Sequence, residues 1–366
     1  MFKNRRLYHL SHIDLDGYSC QLLSGLIFQD RKCYNSNYGK EIISRIDEIF
    51  VDIKTQPTNK KIFILITDLN LTDEEAIYIE NIKSNCTKYD IHIQLLDHHI
   101  SGIDISEKYK WYHLNDKKSA TLITYEFLKK NFGFEEEVSN KLDKFVKTVN
   151  ALDIWLQDVT EDFEYGKVLM RLITSAKELN KAMFPDLDCE YKIAVLFKSI
   201  DILMDNNIET KYKHIYLDDQ IHYIKKEFFR ENRENDTIDN LLTNYVVKIL
   251  TEKQNILTVQ YKGYIGLLTY MLGNTSIIGN GFLIANPNFD FIIDLSAKGN
   301  LSFRASSKVD VSIMAKELCG GGGHVNASGG RLKNYRESKN YENAKSVIEA
   351  LFIEKEYTSN TLPWKN

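Results

Sequence analysis

The stretch KIFILIT, Lys61–Thr67, is an almost unbroken apolar run that ends on a lone aspartate, Asp68. A strand with one wet face alternates apolar and polar residues. A continuous β-branched run marks a strand buried on both faces, as in a parallel sheet covered by helices. The flanking sequence supplies the rest of such a fold. RLYHLSH and DIHIQLL read as further strands, and YSCQLLSGLIF, LTDEEAIYIENIKSNC and SATLITYEFLKKNFG read as helices. Thr72 and Glu75 make a capping box, Ser119 is the expected N-cap of the third helix, and Gly133 its expected stop. The rhythm predicts an α/β fold whose N-terminal part is a doubly wound, mainly parallel sheet.

Downstream the pattern changes twice. From about Leu142 to Asn255 it is mostly helical, as in KLDKFVKTVNALDIW and EYKIAVLFKSIDILM. The charged run IKKEFFRENRENDTIDN is expected in or beside an exposed connector. Strand signals return near Ile256. NILTVQYKGYIGLLTY predicts a hairpin with Lys262-Gly263 at its tip, and DFIIDLSAKGNLSFRAS predicts a second, turning at Lys298–Asn300. VSIMAKELCGGGG predicts a helix that runs into glycines. The expected domains are therefore 1–155, a helical extension and connector over 156–255, a smaller C-terminal α/β domain over 256–355, and a tail over 356–366.

Bulk properties narrow the partners. The formal net charge of -4 gives no general field for polyanions, so any nucleic acid is expected to be short or single-stranded, not long duplex. The five cysteines, Cys20, Cys33, Cys86, Cys189 and Cys319, are widely spaced and read as reduced thiols. The N-terminus lacks a signal-peptide pattern, and no run of 18 apolar residues is present. No membrane span and a cytoplasmic location are expected.

The strand ends carry the chemistry. The first strand runs into SHIDLDG, placing His12, Asp14 and Asp16 at alternate positions. In extended chain these share a face, roughly 6.5–7 Å apart, a spacing that suits ligands of two ions. The second strand ends in Asp68, the third in Asp97-His98-His99, and Asp153 lies in the apolar segment VNALDIW. In an open α/β sheet, ligands bind beyond the carboxyl ends of the strands, so these groups are expected to converge there. A single aspartate after a strand is most often a turn or cap. The joint placement is what points to a metal centre. Imidazoles and carboxylates without thiolates favour Mn²⁺ or a similar ion, with Mg²⁺ or Co²⁺ as substitutes. Two such ions can acidify a bridging water and neutralise a phosphate under attack.

SHIDLDG, TDLN, LDHHI and ALDIW, in that order, resemble the motifs of the DHH phosphoesterases, named for the Asp-His-His at 97–99. GGGGHVNASGG, Gly320–Gly330, resembles the signature of the C-terminal domain that accompanies them. The form of the first motif is most similar to the nano-RNases. The resemblance implies two Mn²⁺ ions in a cleft between the domains. By motif position, His12 and Asp14 hold one ion, Asp16, His98 and Asp153 the other, and Asp68 bridges both. His99 faces the scissile phosphate or the leaving group, with Asp97 orienting its histidine neighbour. Many relatives place the first histidine two residues upstream, where this chain has Leu10.

The glycine run raises its own question, because each glycine loses more backbone entropy on folding than any other residue. A phosphate close to bare backbone would repay that loss. Gly321, Gly322, Gly323, His324 and Asn326, with Arg304 of LSFRAS, are the expected substrate-binding residues. The leading expectation is a Mn²⁺-dependent phosphodiesterase, an exonuclease that converts short oligoribonucleotides and linear dinucleotides to nucleoside monophosphates. Adenosine 3′,5′-bisphosphate or a cyclic dinucleotide is the alternative substrate, and a non-catalytic nucleotide sensor the alternative of another class. The middle helices are left two roles, shaping the cleft or supporting a homodimer.

Overall fold

The computed structural model describes residues 5–57, 60–230 and 236–360. The chain divides into two compact units, one of Met1–Lys177 with Asp186–Phe228, the other of Glu178–Pro185 with Phe229–Asn366. The helical stretch 156–255 is thus shared between two units.

The first unit begins β1 (Arg6–His12), α1 (Leu15–Gly25), β2 (Arg31–Ser36), α2 (Lys40–Thr55), β3 (Lys61–Thr67), α3 (Asp73–Ser84), β4 (Asp90–Asp97), α4 (Ile103–Lys108) and β5 (Tyr112–Leu114). It continues through α5 (Ala120–Phe132), α6 (Glu136–Asp153), α7 (Phe163–Ser175), α8 (Pro185–Met204) and α9 (Lys213–Phe229). The five strands lie in the order β2-β1-β3-β4-β5, and every neighbouring pair is parallel. The strand order reverses beside β1, which makes the carboxyl ends of β1 and β3 the topological switch point. Ile62 through Ile66 are all buried, as a strand covered on both faces requires. Thr72 accepts the Glu75 amide at 3.2 Å while Glu75 accepts the Thr72 amide at 2.9 Å, which completes the expected capping box. The IKKEFF part of the charged run forms the end of α9. Residues 231–235 of the charged run lie outside the described residues.

The second unit contains α10 (Ile238–Glu252), α11 (Gln254–Leu257), β6 (Thr258–Tyr261), β7 (Tyr264–Tyr270), α12 (Thr275–Ala285), β8 (Phe291–Leu295) and β9 (Asn300–Ala305). It closes with α13 (Val311–Cys319), β10 (Gly322–His324), β11 (Ala327–Arg331) and α14 (Tyr341–Asn360). Its mixed sheet runs β10-β11-β9-β8-β7-β6. Both expected hairpins form, with Lys262 and Gly263 at positive φ in the first turn and Gly299 in the second. Of the expected tail over 356–366, residues 356–360 belong to α14, which runs to Asn360, and 361–366 lie outside the described residues.

The glycine run is itself a hairpin. Gly320 takes the left-handed conformation, φ 66, that ends α13, and the Gly321 amide bonds the Ala315 carbonyl at 3.0 Å. A Cβ on Gly321 would sit 2.2 Å from the Gly329 carbonyl oxygen, and one on Gly330 would sit 2.9 Å from the Gly321 Cα. Two stretches of backbone pass closer here than any side chain permits. Gly321→Ala is expected to cost about 1–3 kcal/mol, as forced overpacking does. Thermal melts of variant and parent measure it.

Candidate metal centre

Every acidic and histidine residue of the first-unit motifs lies at the carboxyl end of the parallel sheet. The chain does not stay extended after His12. Asp14 becomes the N-cap of α1, accepting the Gly17 amide at 3.0 Å, and Asp16 falls in the first helical turn. The expected face of alternating residues is therefore a tight strand-to-helix turn. Gly17 is required there, because a Cβ would lie 2.3 Å from the His12 carbonyl oxygen.

Three overlapping groups of side chains result. Ligand atoms of His12, Asp14 and Asp68 lie within 4.8 Å of one another, as do those of Asp16, His98 and Asp153 and those of Asp68, His98 and His99. His12 Nδ1 is 2.9 Å from Asp14 Oδ2 and 3.6 Å from Asp68 Oδ2. His98 Nε2 is 3.3 Å from Asp68 Oδ1, 3.6 Å from Asp153 Oδ2 and 3.9 Å from Asp16 Oδ2. Asp68 thus turns one oxygen toward His12 and the other toward His98. Leu10, at the position where many DHH proteins place the histidine, is fully buried in β1. His12 is the histidine that reaches the centre.

The carboxylates are held by the fold. Both oxygens of buried Asp16 accept backbone amides of the α5 N-terminus, from Ala120 at 2.7 Å and Thr121 at 2.8 Å. Asp68 has φ 56, a left-handed conformation in which aspartate is better tolerated than most residues. Beneath it, the Thr67 hydroxyl meets His9 Nε2 at 2.9 Å and the Ser11 hydroxyl at 2.7 Å. Ser11 in turn donates to the Gly17 carbonyl at 3.0 Å. Burial pushes His9 down to about 3, so this ring is neutral and ties β1 to β3.

The electrostatics ask for cations. Burial raises the Asp68 pKa well above the usual carboxylate range, and Asp16 and Asp14 raise it further. Burial, then Asp16, pushes Asp153 up to about 8, and burial with Asp14 raises Asp16. Burial would lower His12, but Asp14 and Asp68 outweigh it and carry it up to about 10. Asp68 Oδ2 is buried and accepts no hydrogen bond. Its nearest ionisable neighbour, His12 Nδ1, stays 3.6 Å away, beyond hydrogen-bond reach, and a buried carboxylate oxygen left so is costly until a closer cation meets it. The nearby thiol of Cys20 is raised by burial and by Asp16, which keeps it protonated and outside the ligand set. The donors fit a hard or borderline divalent ion.

A second line of side chains runs through the Asp-His-His motif. His99 Nδ1 lies 2.7 Å from Asp97 Oδ1, and the Tyr112 hydroxyl donates to Asp97 Oδ2 at 2.6 Å. The histidine that Asp97 orients is therefore His99. Tyr38 and Tyr112 belong to none of the motifs. The one sequence signal for Tyr38 is its place two residues past the end of β2, a strand too polar to stand out.

In the second unit, register places His324, Ala327 and Arg304 on one rung across β10, β11 and β9. Paired residues share a face, so His324 and Arg304 stand on the same side about 10 Å apart. Arg304 reaches the Ser276 hydroxyl in the first turn of α12. Asn326 sits in the hairpin turn with its carbonyl accepting the Ala305 amide at 3.1 Å. Gly322 and Gly323 pair with Gly329 and Ser328. The Gly321 amide, spent on α13, is not open to a ligand as the sequence suggested.

No helix among the described residues is long and apolar enough to cross a membrane. No family model matches the chain. It is 41% identical over 350 residues to a 3′,5′-cyclic-nucleotide phosphodiesterase of Helicobacter pylori, covering 95% of this chain and 99% of that protein. The crystal structure of an uncharacterized protein from Helicobacter pylori G27 is similar throughout. It has a TM-score of 0.86 and 40% identity, over 95% of this chain and 99% of that one.

Proposed function

This chain belongs to the family of the Helicobacter pylori 3′,5′-cyclic-nucleotide phosphodiesterase, and from that premise we propose a divalent-metal centre that hydrolyses small nucleotide phosphodiesters. The phosphodiesterase activity comes with the family. The metal, the residue roles and the substrate are the proposal. One observation carries it: Asp68 stands between two groups of ligand-type atoms with a buried, unbonded oxygen. His12 and Asp14 would hold one ion, Asp16, His98 and Asp153 a second, and Asp68 would bridge them. Ions bound there would supply an activated water and offset charge on the phosphate, with Mn²⁺ the first to test and Mg²⁺ and Co²⁺ next.

The remaining residues orient and grip. The α5 amides fix Asp16, and Asp97 fixes the His99 ring. In the second unit, the Arg304 guanidinium lies against the first turn of α12. A cation at a helix N-terminus is unfavourable alone and becomes favourable with an anion between them. Arg304 and His324 are therefore proposed to bind a nucleotide phosphate.

The relative's name makes 3′,5′-cyclic nucleotides the first substrate to offer. The SHIDLDG form of the first motif favours short oligoribonucleotides and linear dinucleotides as the second. Either reaction adds water across one phosphate ester bond and releases a nucleoside monophosphate. The test offers cyclic nucleotides, RNAs of two to about twenty-four nucleotides, a dinucleotide and adenosine 3′,5′-bisphosphate, with each metal and with chelator, and separates the products by chromatography. Metal-dependent monophosphate release is expected. Release only from the bisphosphate, or none from any diester, would overturn the proposal.

A further inference from the structure

Tyr38 lies between β2 and α2, at the open end of the parallel sheet. His12 is registered opposite Ser36, so the chain leaving β2 emerges beside the chain leaving β1. The turn is tied down. Asn37 donates its backbone and side-chain N–H groups to Glu41 at 3.1 and 2.8 Å, and Gly39 at φ 78 redirects the chain into α2. The Tyr38 ring lies over the His12 ring with centroids 4.4 Å apart, and meets the His99 ring edge-on at 5.3 Å. Its hydroxyl is 3.0 Å from His99 Nε2 and 3.5 Å from His12 Nδ1.

The far side of His99 assigns the donors. Asp97 accepts from Tyr112 with one oxygen and meets His99 Nδ1 with the other. A carboxylate only accepts, so Nδ1 carries the hydrogen, and in the neutral tautomer this selects, Nε2 is an acceptor for the Tyr38 hydroxyl. His99 is held at both nitrogens, in a line from Tyr112 through Asp97 and His99 to Tyr38.

We propose that Tyr38 is a positioning residue: its hydroxyl fixes the plane and tautomer of the His99 ring, and its ring covers His12. Tyr38 is 42% exposed, so it holds His99 from the solvent side, where a substrate must arrive. The inference rests on the phosphodiesterase reading for its effect on turnover, but the Tyr38–His99 bond itself does not.

The test is Tyr38→Phe, which keeps the ring over His12 and removes the hydroxyl. With Mn²⁺ and bis(p-nitrophenyl) phosphate, a diester with no base to bind, kcat is expected to fall on the order of 10-fold while KM changes little. In ¹⁵N-histidine NMR of protein without added metal, the Nε2 resonance of His99 is expected to move while Nδ1 keeps its hydrogen, donated to Asp97. The melting temperature is expected to match the parent. An unmoved resonance, or a moved resonance with unchanged kcat, would overturn the positioning role. If the parent protein hydrolyses no diester at all, the functional reading fails, and the resonance alone then decides the Tyr38–His99 bond.

Discussion

Asp68→Asn is expected to lower turnover at least about a thousandfold, the scale on which loss of a shared metal ligand removes transition-state stabilisation. Fold stability is expected to hold or rise. The two outcomes share one cause. Asp68 is a buried carboxylate pushed well above its usual range by burial and by Asp16 and Asp14. An uncharged amide in its place relieves that repulsion in the metal-free protein. Asparagine is preferred to alanine because residue 68 sits at φ 56, where asparagine is tolerated and alanine strained. Kinetics with a diester, metal content by mass spectrometry and a thermal melt together decide it. Near-parental turnover would sink the bridging role. A large loss of stability would make Asp68 a structural residue instead.

Chelation is expected to abolish turnover and to leave a protein whose melting temperature falls by several degrees as pH rises from about 6.5 to about 8. Burial and Asp16 push Asp153 from 3.8 up to about 8 in the fold, so the stability it contributes when protonated drains away across this window. His12, raised from 6.5 to about 10, contributes stability that is complete below 6.5 and is lost as pH rises toward 10. Asp14 is lowered from 3.8, so its contribution is already complete and does not change here. Asp153 and His12 act in one direction. Added Mn²⁺ is expected to reverse the loss, with a larger gain in melting temperature at pH 8 than at pH 6.5, because fewer protons must leave the ligands. Calorimetry of chelated and reloaded protein across this range measures it. A melting temperature that climbs with pH in the chelated protein would mean that the acids are not crowded as described.

The parts of this design that could be read from residues alone are those with a local physical cause. Ile62–Ile66 had to be covered on both faces, and they are. Thr72, Ser119 and Gly133 act where their backbone chemistry placed them. β2 is not legible in RKCYNS because it is an edge strand, paired on one side and polar along much of its length. β5 is only three residues long. Asp14 and Asp16 were expected in extended chain, but an aspartate before an apolar run is also a helix N-cap, and the cap prevailed. The glycines of 320–330 show a different limit. Close approach of a ligand and close approach of backbone leave the same trace in a sequence. Here Gly321 and Gly330 meet each other. Tyr112 reaches Asp97 across 15 residues of chain with no spacing rule behind it.

The bond between Asp16 and the start of α5 also sets an order of events. Asp16 leaves the ribosome early, yet the Ala120 and Thr121 amides that hold it follow 104 and 105 residues later. Until they arrive, the first motif is an acidic turn without its anchor. The first motif is therefore anchored late in synthesis, by a helix that contributes no ligand of its own, and Asp153 at the end of α6 arrives later still. A half-made chain can own most of the motif and still lack the geometry to cut anything.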